Sequence, residues 1–313
     1  MPIGVVTQPR GILAWMMKSL AIVGAGAVGR ALGRRLREKG WKITVVAARS
    51  GASAKRGTRF IGGGRPAAGI PATLAYASTI LLAVPDDALR SVAVQLAITA
   101  SEDLRGRVVL HTSGALGAAV LEPLRSFGAA VGSLHPLQSF NGVSVPPLEG
   151  KVFAVEGDEL AARVARKIAR SHGGVPVGIS AENKPLYHVA GAFAEGLSLA
   201  MAEAGVRMLM IAGLNRREAR CALLSLTRQV LEHSEKLGPQ KAWTGPLARG
   251  DYGVVATDEN ALRRLSPEYL DAYRAVSRLS ARVLSPDPAS MLAQLDAISG
   301  SRKLAAKAKG GSE

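Results

Sequence analysis

Apolar residues fall along this chain in two rhythms. Up to about residue 180, short apolar runs alternate with amphipathic stretches; beyond it, apolar positions recur only at helical spacing. In the first half, Ser19–Val23, Lys42–Ala47, Ser78–Val84, Arg107–His111, Ala129–Leu134, Lys151–Val155 and Val175–Ile179 read as strands. Ala27–Lys39, Ala88–Ala97, Ala118–Phe127 and Leu160–Ser171 read as the helices between them. The continuous run STILLAV suits a strand buried on both faces. Residues 50–71, rich in Gly and basic residues, read as loop with one weak strand at Arg59–Ile61. The alternation predicts a doubly wound α/β fold with a parallel, Rossmann-like sheet.

From Glu182 to Ile298 only helices are predicted. Pro185–Ile211 is apolar nearly all round, as in a helix buried in a bundle or between subunits. Arg216–Leu237 stops at Gly238-Pro239, and residues 239–251 read as loop. Tyr252–Leu265, Pro267–Leu284 and Pro288–Ile298 complete the helical part. The expected organisation is an extension at 1–17, a Rossmann-like domain at 18–180, a helical domain at 181–299 and a disordered basic tail at 300–313.

One motif gives the first half its chemistry. The strand Leu20-Ala21-Ile22-Val23 runs into Gly24-x-Gly26-x-x-Gly29 and then into a helix pattern. Gly24 permits the tight turn, Gly26 lets a pyrophosphate approach the backbone, and Gly29, with Gly33, lets the helix pack on the sheet. The N–H groups of the helix start, around Ala27 and Val28, would hold phosphates. An NAD site expects an acid at the end of the second strand; here the sequence is Val46-Ala47-Ala48-Arg49-Ser50. Arg49 and Ser50 suit a 2′-phosphate, so the expected cofactor is NADP rather than NAD.

The net charge of +16 raises the question of a polyanion partner. The basic residues are scattered over several helix faces, and aromatics make up only 4%, which argues against a nucleic-acid binder. The single cysteine, Cys221, excludes an internal disulfide and reads as a small core residue. The N-terminal apolar patch is short for a membrane span and has no cleavage site, so the expected location is the cytoplasm, with no membrane partner. Metal-ligand spacing is absent.

Ligands of such sheets bind beyond the C-terminal ends of the strands. Three polar turns fall there: Pro85-Asp86-Asp87 after Val84, His111-Thr112-Ser113-Gly114, and His135-Pro136-Leu137-Gln138-Ser139-Phe140. Val84, Pro85, Ser113 and Gly114 are expected beside the nicotinamide. His135 either orients or protonates a substrate or is a structural imidazole. His111, still within a strand, reads as structural. Lys184 opens the long helix and shares a face with His188; it either polarises a substrate or is a solvated first-turn lysine. Arg249 and Asp251 either bind a carboxylate or pair with each other.

Taken in order, VGAGAVGRALGRRL, LLAVPDDAL, VVLHTSGALG, GSLHPLQSF, FAVEGD, KPLYHVAGAF and TGPLARGD resemble bacterial Rossmann-like proteins with a C-terminal domain of unknown function. The resemblance runs from about Ser19 to about Leu284. More distantly it is similar to pyrroline-5-carboxylate reductase, prephenate dehydrogenase and deazaflavin-dependent NADP reductases. It implies NADP binding and a helical, dimer-forming C-terminal domain. Glu195-Gly196 departs from the Ser-Asn pair usual in that family, which weakens a lysine–amide catalytic pairing.

The leading reading is a homodimeric NADP-dependent oxidoreductase acting on a small molecule, with Lys184, His135 and His188 as catalytic candidates. A non-catalytic NADP-binding sensor or scaffold is the second reading, and a polyanion binder the third.

Overall fold

A computed structural model describes residues 18–309. The predicted extension at 1–17 lies outside the described residues. The chain forms two compact units, Met1–Glu195 and Gly196–Glu313. The division falls fifteen residues beyond the expected boundary at 180, because the first turns of the long helix pack with the N-terminal unit.

The N-terminal unit is built on one eight-stranded sheet. Its strands are β1 (Ser19–Val23), β2 (Lys42–Ala48), β3 (Arg65–Ala68), β4 (Thr79–Leu82), β5 (Val108–His111), β6 (Ala130–Pro136), β7 (Val152–Gly157) and β8 (Val175–Gly178). They lie in the order β3-β2-β1-β4-β5-β6-β7-β8. The six strands from β3 to β6 are parallel, and the order reverses between β1 and β4. β7 runs antiparallel to β6, and β8 runs parallel to β7. The sheet is thus the mostly parallel, Rossmann-like one expected, with β7 and β8 reversed relative to the other six strands. Parallel neighbours need a crossover, usually a helix, and residues 137–151 carry no helix, so β7 folds straight back.

Helices α1 (Ala27–Glu38), α2 (Gly51–Ile61), α3 (Leu89–Ala100), α4 (Glu122–Arg125) and α5 (Glu159–Ser171) cover the sheet. Side-chain alternation in β1 divides the core. Leu20 and Ile22 pack with Leu32 and Leu36 of α1 and Ile168 of α5. Ala21 and Val23 pack with Leu89 and Leu96 of α3 and Leu124 of α4. The region 118–127 is shorter in helix than expected, a 3-10 turn at Ala118–Leu121 running into α4.

The helix α2 corrects the loop expected at 50–71. Ser50 caps it by accepting from Ser53 N–H, and Gly62 ends it in the left-handed region. Its glycines hid it. Gly57 is present because a Cβ there would stand 2.7 Å from the Ala25 side chain, so packing overrides helix propensity.

The long helical run begins with α6 (Lys184–Ala192), continues through a π turn at Phe193–Leu197 and becomes α7 (Ser198–Ile211) in the second unit. There α8 (Arg216–Leu237) opens with a capping box between Asn215 and Glu218. The expected loop at 239–251 contains two short helices, α9 (Pro239–Ala242) and α10 (Pro246–Arg249). Then come α11 (Tyr252–Leu262), α12 (Pro267–Leu284) and α13 (Pro288–Lys309). The last extends past the Ile298 end expected, into the segment read as a disordered tail. Val255, Ala281, Met291 and Leu295 form the buried centre of this unit. Cys221 is exposed, contrary to the core position expected of it, because α8 buries only Ala219 within the chain.

Candidate functional site: a strand-end cleft and a histidine cluster

A cavity of about 830 Å³ opens at the C-terminal ends of β1 and β4, where the strand order reverses. Doubly wound sheets bind ligands at this reversal. Gly24, Gly26, Arg49, Ser53, Val84 and Pro85 are among its walls. Gly24 has φ +103°, and a Cβ on it would lie 2.1 Å from the Ala83 carbonyl oxygen. A Cβ on Gly29 would lie 2.1 Å from the Gly24 carbonyl oxygen, so Gly29 serves the packing of α1 rather than a ligand. Gly26 is different: nothing stands within 4 Å of where its side chain would be. Its open backbone, next to the uncapped first turn of α1, makes a cradle for a phosphate. At the far end, Arg49 is exposed on the cavity wall, and Ser53 accepts from Arg56.

The sequence placed eleven residues at the cofactor. Gly24, Gly26, Arg49, Val84 and Pro85 line the cavity. Ala27, Val28 and Gly29 form the first turn of α1, and Ser50 caps α2. Ser113 and Gly114 are buried and are not among the residues that line the cavity. Ser113 Oγ donates to Asp86 Oδ2 at 2.7 Å and accepts from the N–H groups of Ala115 and Leu116. Asp86 sits between Pro85 and Asp87, both on the cavity wall, so the Ser113 turn is tied to that wall.

The three catalytic candidates gather around the same turn. A Cβ on Gly114 would stand 2.9 Å from both His135 Nε2 and His188 Cδ2, so glycine lets the two rings close over the turn. His135, at the end of β6, is half-buried, with Nδ1 3.0 Å from Tyr187 Oη and the two rings edge to face. Burial and the positive charge of Lys184 push His135 down to about 4, so the imidazole is neutral at pH 7. Burial pushes the Tyr187 phenol up to about 12, so it keeps its proton. Tyr187, one turn after Lys184, joins the three catalytic candidates named from sequence. His188 is exposed.

Lys184 is neither a solvated lysine nor open to a ligand. It is fully buried, and Nζ donates to the Ser113 carbonyl oxygen at 2.9 Å and to Ser133 Oγ at 2.8 Å. Burial pushes it down to about 8, against the pull of Glu156 and Asp86. His111 is the structural imidazole expected: Nδ1 accepts from Ser113 N–H, and Nε2 faces the Gly117 carbonyl. Burial drives it down to about 3. In the second unit, Arg249 and Asp251 pair with each other at 2.9 Å. Among the described residues no group of three His, Cys, Asp or Glu side chains could hold a metal.

Known structures share this architecture. BF3122 of Bacteroides fragilis, designated an NADP oxidoreductase, is 20% identical with a TM-score of 0.68, the match covering 84% of this chain and 98% of that one. Protein TM1727 of Thermotoga maritima is 26% identical with a TM-score of 0.63, over 83% and 96% of the two chains. A reductive aminase from Aspergillus terreus, solved with NADPH and ethyl-5-oxohexanoate, is 19% identical with a TM-score of 0.65, over 85% and 94%. Among curated proteins none matches. Residues 10–136 match the Rossmann-like domain, and residues 151–280 match the family described as Domain of unknown function (DUF2520). The chain is thus a Rossmann-like domain followed by a DUF2520 domain.

Proposed function

We propose that this protein is an NADP-dependent oxidoreductase that moves a hydride to or from a small molecule beside the histidine cluster. The observation that carries the reading is the cleft at the strand reversal. It has an open glycine backbone at one end and a guanidinium, with no acid, at the tip of β2. The residues fit the cofactor: the Gly24–Gly26 backbone and the first turn of α1 for the pyrophosphate, Arg49 and Ser53 for the 2′-phosphate, Val84 and Pro85 beyond. NADPH bound there supplies the hydride. The chain's own contribution is a neutral His135 and a protonated Tyr187, an uncharged pair able to present a proton. The bound NADPH in the Aspergillus terreus enzyme of the same fold is consistent with this reading.

The second helical unit supports homodimerisation. α7 buries only Val206 and α8 only Ala219, leaving Leu199, Met201, Ile211, Leu226 and Leu231 exposed. The run Ala181–Ile211 is also long and apolar enough to cross a membrane, with 6% of its most apolar window buried. Glu195, and Glu203 and Arg207, which pair with each other, interrupt it. Charges of this kind favour a protein partner over lipid, and a second copy of this chain is that partner.

Titration with NADPH and NADH tests the cofactor, with tighter NADPH binding expected and equal or absent binding refuting it. NADPH oxidation across a panel of imines, 2-oxo acids and cyclohexadienyl acids distinguishes enzyme from sensor; binding without turnover favours the sensor. Light scattering on the eluting peak of a sizing column reads the dimer.

A further inference from the structure

The site described so far has a buried charge that nothing yet employs. Lys184 is on the first turn of α6, with no exposed surface, and its ammonium reaches the turn after β5 and the middle of β6. Its two acceptors are neutral, the Ser113 carbonyl and the Ser133 hydroxyl. A buried ammonium with neutral partners alone is costly; nearby carboxylates offset that cost. One carboxylate, Glu156, stands one hydroxyl away, and a second, Asp86, is held by the side chain of the residue whose carbonyl takes the ammonium. Ser133 Oγ lies 3.5 Å from Glu156 Oε2, which also accepts from Ala118 N–H at 2.7 Å. Ser113 Oγ donates to Asp86.

Register makes the arrangement inevitable for these residues. His111, Ser133 and Glu156 are directly opposite one another across β5, β6 and β7. Because β7 is antiparallel, Glu156 near its end returns to the middle of β6 rather than to its tip. The charged and titratable groups around the ammonium are therefore Glu156, Asp86, His111 and His135, and both imidazoles are neutral at pH 7.

We propose that Lys184 is a positioning residue and not one that touches a ligand. Its ammonium, bracketed by Glu156 through Ser133 and by Asp86 through Ser113, fixes the Ser113–Gly114 turn under His135 and His188. This deepens the oxidoreductase reading and rests on it for the use made of the cluster; the bracket itself does not depend on a cofactor. Glu156 thereby becomes a positioning residue of the site, although it is not among the residues that line the cavity. The lysine also acts at a distance: its positive charge adds to burial in holding His135 neutral beside the Tyr187 phenol.

The test uses the full-length protein in three measurements. In a double-mutant cycle on thermal stability, Glu156→Gln lowers Tm by several degrees alone and by less than about a third of that in a Lys184→Met background. Equal shifts in the two backgrounds overturn the pairing. If Lys184→Met does not fold, the cycle is run between Glu156→Gln and Ser133→Ala with the same criterion. Ring NMR of the histidines follows the charge: Lys184→Met raises the His135 titration midpoint by about half a unit or more. A folded variant with an unmoved midpoint overturns the electrostatic role, an outcome that loss of packing volume alone would produce. Finally, Glu156→Gln weakens NADPH less than Arg49→Ala does, since the phosphates are held elsewhere; an equal or larger loss shows that Glu156 acts on the cofactor end of the cleft and overturns its assignment to the histidine turn. If the wild-type protein itself binds no NADPH, the cofactor reading fails, while the cycle and the titration still decide the bracket.

Discussion

Replacing His172 with phenylalanine should remove an acid sensitivity from the fold without weakening it at neutral pH. His172 caps the C-terminus of α5 and is 2% exposed. Its ring stacks on Phe153 with centroids 5.8 Å apart and planes 5° apart, and neither ring nitrogen has a hydrogen-bond partner. Burial lowers it from 6.5 to about 4, and Arg35 and Lys39 add to the effect while Glu149 opposes it. The unfolded chain binds this proton near pH 6.5, whereas the fold resists it until about pH 4. The neutral ring's contribution is thus intact above pH 6.5 and is lost as pH falls from there to 4. The difference of about 2.5 pH units corresponds to about 3 kcal/mol. His111 and His135 titrate in the same direction, but they are present in both proteins and cancel in the comparison. Urea unfolding of wild type and His172→Phe between pH 4 and pH 8 measures the difference. The variant should match or slightly exceed wild type at pH 8, since no hydrogen bond is lost, and lead by about 3 kcal/mol at pH 4. Curves that stay parallel across the range would refute the reasoning.

Other changes test other parts of the molecule. Arg49→Ala should weaken NADPH about tenfold and leave NADH unchanged, read by fluorescence titration; an equal loss for both would remove the 2′-phosphate role. Gly29→Ala forces a Cβ to within 2.1 Å of the Gly24 carbonyl, so Tm and NADPH affinity should fall together, and a variant that keeps both contradicts the packing described. In the second unit Glu259 is 2% exposed and pairs with Arg274, so Arg274→Leu should cost roughly 3 kcal/mol by chemical denaturation. A loss below about 1 kcal/mol would show that Glu259 reaches water.

What could be read from the chain was what a local pattern encodes. The strand and glycine turn at 19–29 announce themselves because the conformational demand and the residue that meets it are adjacent. α2 did not, since Gly57 looks like a helix breaker until the Ala25 side chain beside it is known. The reversal of β7 was legible in principle: residues 137–151 carry Pro, Gly and Ser where a crossover helix would need a periodic apolar stripe. The histidine cluster was found as separate motifs, yet the parts assigned to Ser113 and Lys184 depended on partners 27 to 71 residues away. Nothing local distinguishes a first-turn lysine that faces water from one that faces Ser133.

The order of the strands also has an entropic consequence. β6, β7, α5 and β8 pair with near neighbours in the chain, whereas β1 meets β4 only after α1, β2, α2 and β3 have been laid beside it. Closing that long loop costs more chain entropy than the C-terminal pairings do. The phosphate-holding cleft therefore sits at the joint of the sheet that closes the longest stretch of chain. A nucleotide that recognises only the closed joint stabilises it by mass action and holds together the two paired strands most distant in the chain.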